Sequence, residues 1–173
     1  MKEIKLTYGE IALVDDEDYE YLNQWKWHTD HDGYAIRGGW LNGKKYNYRM
    51  HRVILGLTDS KIQTDHRDHN LLNNQKSNIR ACTHSENQRN KIPKGRSKYL
   101  GVMYQKRHFK TTSGRIFDYE EIIARIRING KYKRIGRFNT EEEAALAYNK
   151  YAEKYFEEFA NLNKISKELI TNK

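Results

Sequence analysis

Residues 65–90 read DHRDHNLLNNQKSNIRACTHSENQRN and concentrate aspartate, histidine and asparagine beyond anything a packed core requires. The preceding residues, 62–66, alternate as a strand that delivers Asp65 and His66 to a polar loop. Residues 78–82, NIRAC, read as a second strand. Thr83-His84-Ser85-Glu86 then has capping-box spacing, so a helix is expected to start there with Asn87, Arg89 and Asn90 in its early turns. The order is strand, loop, strand, helix. Hydrolysis of a phosphodiester requires a group that activates water and a cation that stabilises charge on the phosphate. Histidine titrates near neutrality and suits the first task, which points to His66. Asp65 and the side-chain carbonyl of Asn87 are oxygen ligands suited to a hard ion, Mg²⁺ or Mn²⁺. Neighbouring strand residues face opposite ways, so Asp65 and His66 serve one site only if the strand ends or bends there.

Working outward, residues 4–14 and 34–50 hold short apolar and aromatic runs broken by glycine turns and read as strands, with Asn42-Gly43 as a hairpin tip. Asp15-Asp16-Glu17-Asp18 is expected to cap a short helix with Tyr19, Leu22 and Trp25 on one face. Residues 51–57 read as another short helix.

The segment MHRVILG (50–56) together with residues 62–90 resembles the HNH endonuclease family, many of whose members are homing endonucleases. The resemblance implies a ββα-metal fold with His66 as general base, Asp65 as metal ligand, Asn78 as the central asparagine that ties the loop to the fold, and Asn87 at the final motif position. Asparagine stands at that last position where histidine is usual, which makes this an H-N-N variant. Asn70, Asn73 and Asn74 read as loop formers. Arg52 is a candidate for holding the scissile phosphate, Arg89 for a further DNA contact, and His51 for either a functional or a buried structural role. A zinc site built from His66, His69, Cys82 and His84 is the competing reading, weakened by the mid-strand place of Cys82 and the lack of a spaced ligand pair.

Charge divides the chain unevenly. Residues 1–93 carry 14 Lys/Arg against 13 Asp/Glu, whereas residues 94–173 carry 18 against 10, and 13 basic residues with only 3 acids fall within 94–138. A polyanionic partner is therefore expected to meet the second half. The single cysteine, Cys82, excludes an internal disulfide. No apolar run is long enough to span a membrane and the first residues do not open a secretory signal, so a cytoplasmic protein of a prokaryotic or phage-infected cell is expected, with no membrane partner.

The only proline, Pro93, lies in a basic stretch without periodicity that reads as a linker, 93–98. Beyond it, residues 99–105, 119–128 and 131–138 read as three antiparallel strands, the last two joined through Asn129-Gly130. Thr140 and three glutamates start a helix that runs to about residue 159 and carries alanines at helical spacing. In Ala124-Arg125-Ile126-Arg127-Ile128 the apolar residues face the helix and the arginines face outward. Lys106, Arg107, Lys133, Arg134 and Arg137 join them on successive strands, with acids nearly absent from that face. Such a face suits a DNA major groove.

SKYLGV, ARIRINGKYKRIGRF, TEEEAALAYNKYA and ANLN, across 97–163, resemble the APETALA/ethylene-response-factor DNA-binding domain. By that resemblance Met103, Gln105, Arg125, Arg127, Arg134 and Arg137 occupy DNA-contacting positions, and Tyr148 reaches toward a phosphate. Met103 and Gln105 replace arginines that are common there, so the base preference does not carry over. The expected class is α+β: a ββα-metal nuclease module over 1–92, then a three-stranded antiparallel sheet packed on one C-terminal helix over 99–163, and a tail over 164–173. The function implied is a metal-dependent endonuclease acting on double-stranded DNA as a monomer or weak dimer. A DNA-binding regulator with an inactive nuclease fold, and an RNA-directed protein, are the alternatives.

Overall fold

The computed structural model describes residues 1–166, so all but the first residues of the expected tail lie outside the described residues. The chain is α+β and forms two compact units, Met1–Asn87 and a second from Gln88 onward. Residues 88–92 thus belong with the second unit. Among the described residues no helix is long and apolar enough to cross a membrane.

In the first unit, β1 (Lys2–Lys5) and β2 (Ile11–Val14) pair antiparallel, and alternation turns Ile4, Ala12 and Val14 inward. Helix α1 (Asp16–Leu22) follows, with acids filling its first turn. The strands β3 (His28–Thr29), β4 (Ala35–Leu41) and β5 (Lys44–Arg49) form a second antiparallel sheet. Its hairpin turns through Asn42 and Gly43 at φ of 49° and 74°, the primed geometry that Asn-Gly favours. Helix α2 (Met50–Ile54) is shorter than the seven residues expected. Ile4, Leu6, Val14, Leu22, Trp27 and Met50 make the core, each worth about 1.5–3 kcal/mol relative to exposure. Trp27 donates its indole N–H to the Leu22 carbonyl at 2.8 Å, so its burial strands no donor.

The strand, loop, strand, helix order is present as β6 (Gln63–His66), β7 (Ile79–Cys82) and α3 (His84–Asn87). The β6–β7 ladder sets Asp65 opposite Arg80 and His66 opposite Ile79. At the start of α3 the capping box closes: the Thr83 N–H donates to Glu86 Oε2 at 2.7 Å and the Glu86 N–H to Thr83 Oγ1 at 3.3 Å. The helix ends at Asn87, so Arg89 and Asn90 lie beyond it.

The second unit is a sheet in the order β10-β9-β8 backed by a helix. Its strands are β8 (Val102–Lys110), β9 (Ile116–Ile128) and β10 (Lys131–Phe138), and the helix is α4 (Glu141–Phe156). The first hairpin extends past the expected strand ends, to Lys110 on β8 and back to Ile116 on β9. Thr140 caps α4 by accepting the Glu143 N–H, and a positive φ at Glu157 ends it, so only a 3₁₀ turn occupies Glu157–Phe159. Ala144, Ala145 and Ala152 are fully buried, letting the helix sit close over Ala124 and Ile126. Gly101 shows how tight this is. At φ +73° an added Cβ would meet the Tyr148 ring at 2.0 Å and the Arg125 carbonyl at 2.7 Å.

Candidate active site and basic sheet face

The loop between β6 and β7 is a knot of side-chain to backbone bonds. Asn78 donates to Asp68 Oδ1 at 2.9 Å and to the Asn73 carbonyl at 2.8 Å, and accepts the Asp68 N–H at 3.1 Å. Asp68 also receives the Asn70 N–H and the Asn73 amide, each at 2.8 Å. Burial pushes its carboxyl up, but these bonds outweigh that and hold it below the usual carboxylate range. The N-terminal hairpin braces the same loop. The Leu13 N–H donates to the Leu72 carbonyl and the Asn74 N–H to the Leu13 carbonyl, both at 2.8 Å. Asp15 was expected to cap α1. It stands at the cap position, but its carboxylate instead receives the Gln75 amide at 3.1 Å and the Lys76 N–H at 2.7 Å.

Held by this loop, Asp65 and His66 are 5% and 3% exposed. The strand ends at His66, where strand alternation no longer dictates the two directions, and the Asp65 charge acts on the His66 ring. Asp65 Oδ2 accepts from Arg80 Nε at 2.9 Å and Nη2 at 2.7 Å. Gln63 shares the Asp65 side of β6 and accepts the Asn87 amide at 3.0 Å, which brings Asn87 alongside that face and leaves its carbonyl oxygen as the ligand-type atom.

His66 packs against His51 edge-on, with ring centroids 5.2 Å apart, and against Tyr34 at 6.0 Å. Its Nε2 lies 3.5 Å from the Oδ1 of fully buried Asn74, whose amide nitrogen is committed to the Leu72 carbonyl. Burial lowers the proton affinity of His66, opposed by the Asn74 bond and the charges of Asp68 and Asp65. His51 is buried with Nδ1 lacking a hydrogen-bond partner, and burial together with His66, Arg49 and Arg52 drives its pKa down to about 3. It is therefore neutral at physiological pH.

Among the described residues no group of three or more His, Cys, Asp or Glu side chains is placed to hold a metal. The zinc reading is accordingly not supported. His84 instead pairs with Gln63, and burial raises the Cys82 thiol to about 11. One carboxylate and one amide oxygen fit a different kind of ion, a hard cation that keeps most of its coordination as water and substrate oxygens.

Two arginines are placed otherwise than expected. The terminal nitrogens of Arg52 donate to the Ile62 and Asp59 carbonyls at 2.7 and 2.6 Å, so the fork that was to grip phosphate is engaged in bracing a loop. Arg89 lies in the second unit and stacks over the Phe156 ring at 4.9 Å, which ties it to that unit's core.

On the sheet of the second unit, register sorts the expected contacts by face. Met103, Gln105, Arg107, Arg125, Arg127 and Arg134 share the face away from α4. A bulge between Arg134 and Gly136 shifts parity, which brings Arg137 opposite Ile123 onto the same face. Lys106 and Lys133 are corrected to the other face. Lys133 pairs with Ile126 and stacks over Tyr151 and Tyr155 of α4, and Lys106 pairs with Glu120. Tyr148 is 7% exposed and belongs to the core rather than to a phosphate contact.

The outward face also contains an acid at its centre, contrary to the expectation of near absence. Glu121 accepts from Arg107 at 3.2 Å, Arg134 at 3.1 Å and Arg137 at 3.3 Å. Burial favours its neutral form, yet the arginine bonds and charges keep its carboxyl below the ordinary range. Arg125 and Arg127 are arranged differently, over the ring of Tyr132 at 4.3 and 5.6 Å. Sequence reading missed Asp15, Asn74, Arg80 and Glu121 as organisers. Of these, Arg80 had a usable signal, since pairing residues 63–66 with 79–82 places it opposite Asp65.

A ββα unit presenting an aspartate-histidine pair over an asparagine-tied loop is the framework of a small nuclease. A curated relative from Acanthamoeba polyphaga mimivirus, described as an uncharacterized HNH endonuclease, is 30% identical over 157 residues, covering 91% of this chain and 76% of the relative. The chain belongs to the HNH endonuclease family. No protein-family model matches it. A solved structure concerned with DNA binding and cleavage by the HNH homing endonuclease I-HmuI overlaps loosely, at a TM-score of 0.35 and 19% identity over 68% of this chain and 67% of that one.

Proposed function

We propose that the chain is a homing-type endonuclease that hydrolyses phosphodiester bonds in double-stranded DNA with one divalent metal ion, while the second unit, an APETALA/ethylene-response-factor-type domain, grips the duplex. The observation that carries this reading is the setting of His66, buried, uncharged at neutral pH and steered by Asn74. With Asn74 Oδ1 as acceptor, Nε2 carries the ring proton and Nδ1 holds the lone pair. That nitrogen takes the proton from the attacking water. Asp65 and Asn87 would hold Mg²⁺ or Mn²⁺, which when bound neutralises charge at the phosphate and the leaving oxygen. Arg80 orients Asp65, and Asn78 keeps the loop from moving either partner. Arg125, Arg127, Arg134 and Arg137 supply guanidinium groups for base edges and phosphates, with Met103 and Gln105 beside them.

The test is cleavage of supercoiled plasmid by the purified protein with Mg²⁺ or Mn²⁺. His66→Ala is expected to lower the rate by about a hundredfold or more while leaving duplex binding in place. Full activity in that variant would remove His66 as the base. Binding without cleavage by the parent protein in either metal would favour the regulator reading instead.

A further inference from the structure

Past the point where β10 ends opposite Ile122, β8 and β9 continue alone as a two-stranded arm, 105–110 against 116–121, closed by the turn 111–115. Six residues on each strand carry it about 20 Å beyond the three-stranded sheet. Its two faces differ in chemistry. On the α4 side, Lys106 stands opposite Glu120, His108 contacts Asp118 at 2.6 Å and Lys110 stands opposite Ile116, so that face is mostly polar cross-strand pairs. On the other side, Phe109 stands opposite Phe117, and Tyr119 lies next along β9 on the same face. These rings are 56%, 50% and 48% exposed. This aromatic strip continues the face that carries Arg125, Arg134 and Arg137.

We infer that the arm is a second element of the DNA interface: a β-ribbon that lies along the duplex beside the arginine face, with Phe109 and Phe117 against sugars and base edges and Arg115, in the terminal turn, at a phosphate. The inference rests on the DNA-binding reading above. A bare two-stranded ribbon is marginally stable in water, and exposed aromatics on one face of it mark a contact surface. Charge selects the occupant. The arm carries Lys106, Arg107, Lys110 and Arg115 against Asp118, Glu120 and Glu121, but those acids lie toward the sheet and meet His108, Lys106 and Arg107 across the ribbon. The end of the arm, 109–117, therefore holds only basic charges and would meet a second copy of itself with like charge, whereas DNA is complementary. A two-stranded ribbon fits a major groove, and apolar side chains placed at base steps are a known means of gripping a deformed duplex.

Apolar contact and phosphate contact have different salt signatures, which makes the idea testable with a labelled duplex of mixed sequence. Replacing both rings, Phe109→Ser with Phe117→Ser, should weaken binding about tenfold while leaving the slope of log affinity against log salt unchanged, because no phosphate contact is lost. Both rings are exposed, so circular dichroism should show an intact fold, and Phe109→Tyr with Phe117→Tyr should retain most of the affinity. Equal affinity of the serine variant and the parent would overturn the proposal while leaving the DNA-binding reading intact. Failure of the parent to bind any duplex would overturn both. A parent that self-associates in sedimentation, with the serine variant monomeric and binding DNA normally, would assign the strip to a second copy instead.

Discussion

Arg80 and Asp65 face each other across the β6–β7 ladder, and two guanidinium nitrogens converge on one carboxylate oxygen in a setting where Asp65 is 5% exposed. The aspartate is thereby paired and oriented in a place where an unpaired charge would be costly. Arg80→Ala should lower unfolding free energy by roughly 3–5 kcal/mol, measured by urea denaturation without metal. Adding Asp65→Asn to that variant should recover part of the loss, since the orphaned charge disappears. No recovery in the double variant would show that the pair contributes little through its charge.

The Asn78 side chain makes three bonds within the loop, to Asp68 and to the Asn73 carbonyl. Asn78→Ala should cost about 2–4 kcal/mol of stability, at about 1 kcal/mol per bond plus the unsatisfied partners. Nuclease activity should fall with it, and hydrogen exchange at the Asp68 and Asn70 amides should accelerate. Unchanged exchange there would mean that the loop is held by its contacts with β2 alone.

Acid should destabilise the first unit through its buried imidazoles. The His51 pKa lies near 3 in the fold and near 6.5 when unfolded, so between those values the unfolded chain takes up a proton that the fold excludes. Stability therefore falls as pH drops through about 6.5 and levels off below about 3, and the lowered His66 adds in the same direction. The metal-free protein with His51→Leu should show a shallower decline over this window in chemical denaturation. An identical slope would exclude His51 as a source of the acid sensitivity.

Much of this architecture is written locally. Asn42-Gly43 and Asn129-Gly130 dictate their turns, Thr83 and Glu86 close their box, and the alanines of α4 follow helical spacing. The Asp65, His66, Asn78 and Asn87 set is visible because it lies within one short stretch. What remained hidden depends on distance or on parity. Asp15 looked like a cap because helix starts favour acids, yet its partners lie 60 and 61 residues away, where no local rule reaches. Lys133 was grouped with the arginines by proximity in sequence, although the two-residue turn at Asn129-Gly130 sets it opposite inward-facing Ile126.

Glu121 lowers the positive charge of the outward sheet face and holds three arginines to one point. Glu121→Gln should increase affinity for a mixed-sequence duplex and steepen its salt dependence by about one unit of log-log slope, as freed guanidinium groups meet phosphate. Thermal stability should fall in the same variant. Weaker binding with an unchanged slope would show instead that Glu121 serves mainly to aim the arginines.

The bulge after Arg134 gives β10 a tolerance of length at one point. Removing the extra residue, Ile135, would restore regular alternation and leave Arg137 opposite Ile123 and Phe138 opposite Ile122, so inside and outside would be kept along the rest of the strand. The loss would be confined to the packing of Ile135 against the two clusters beneath α4.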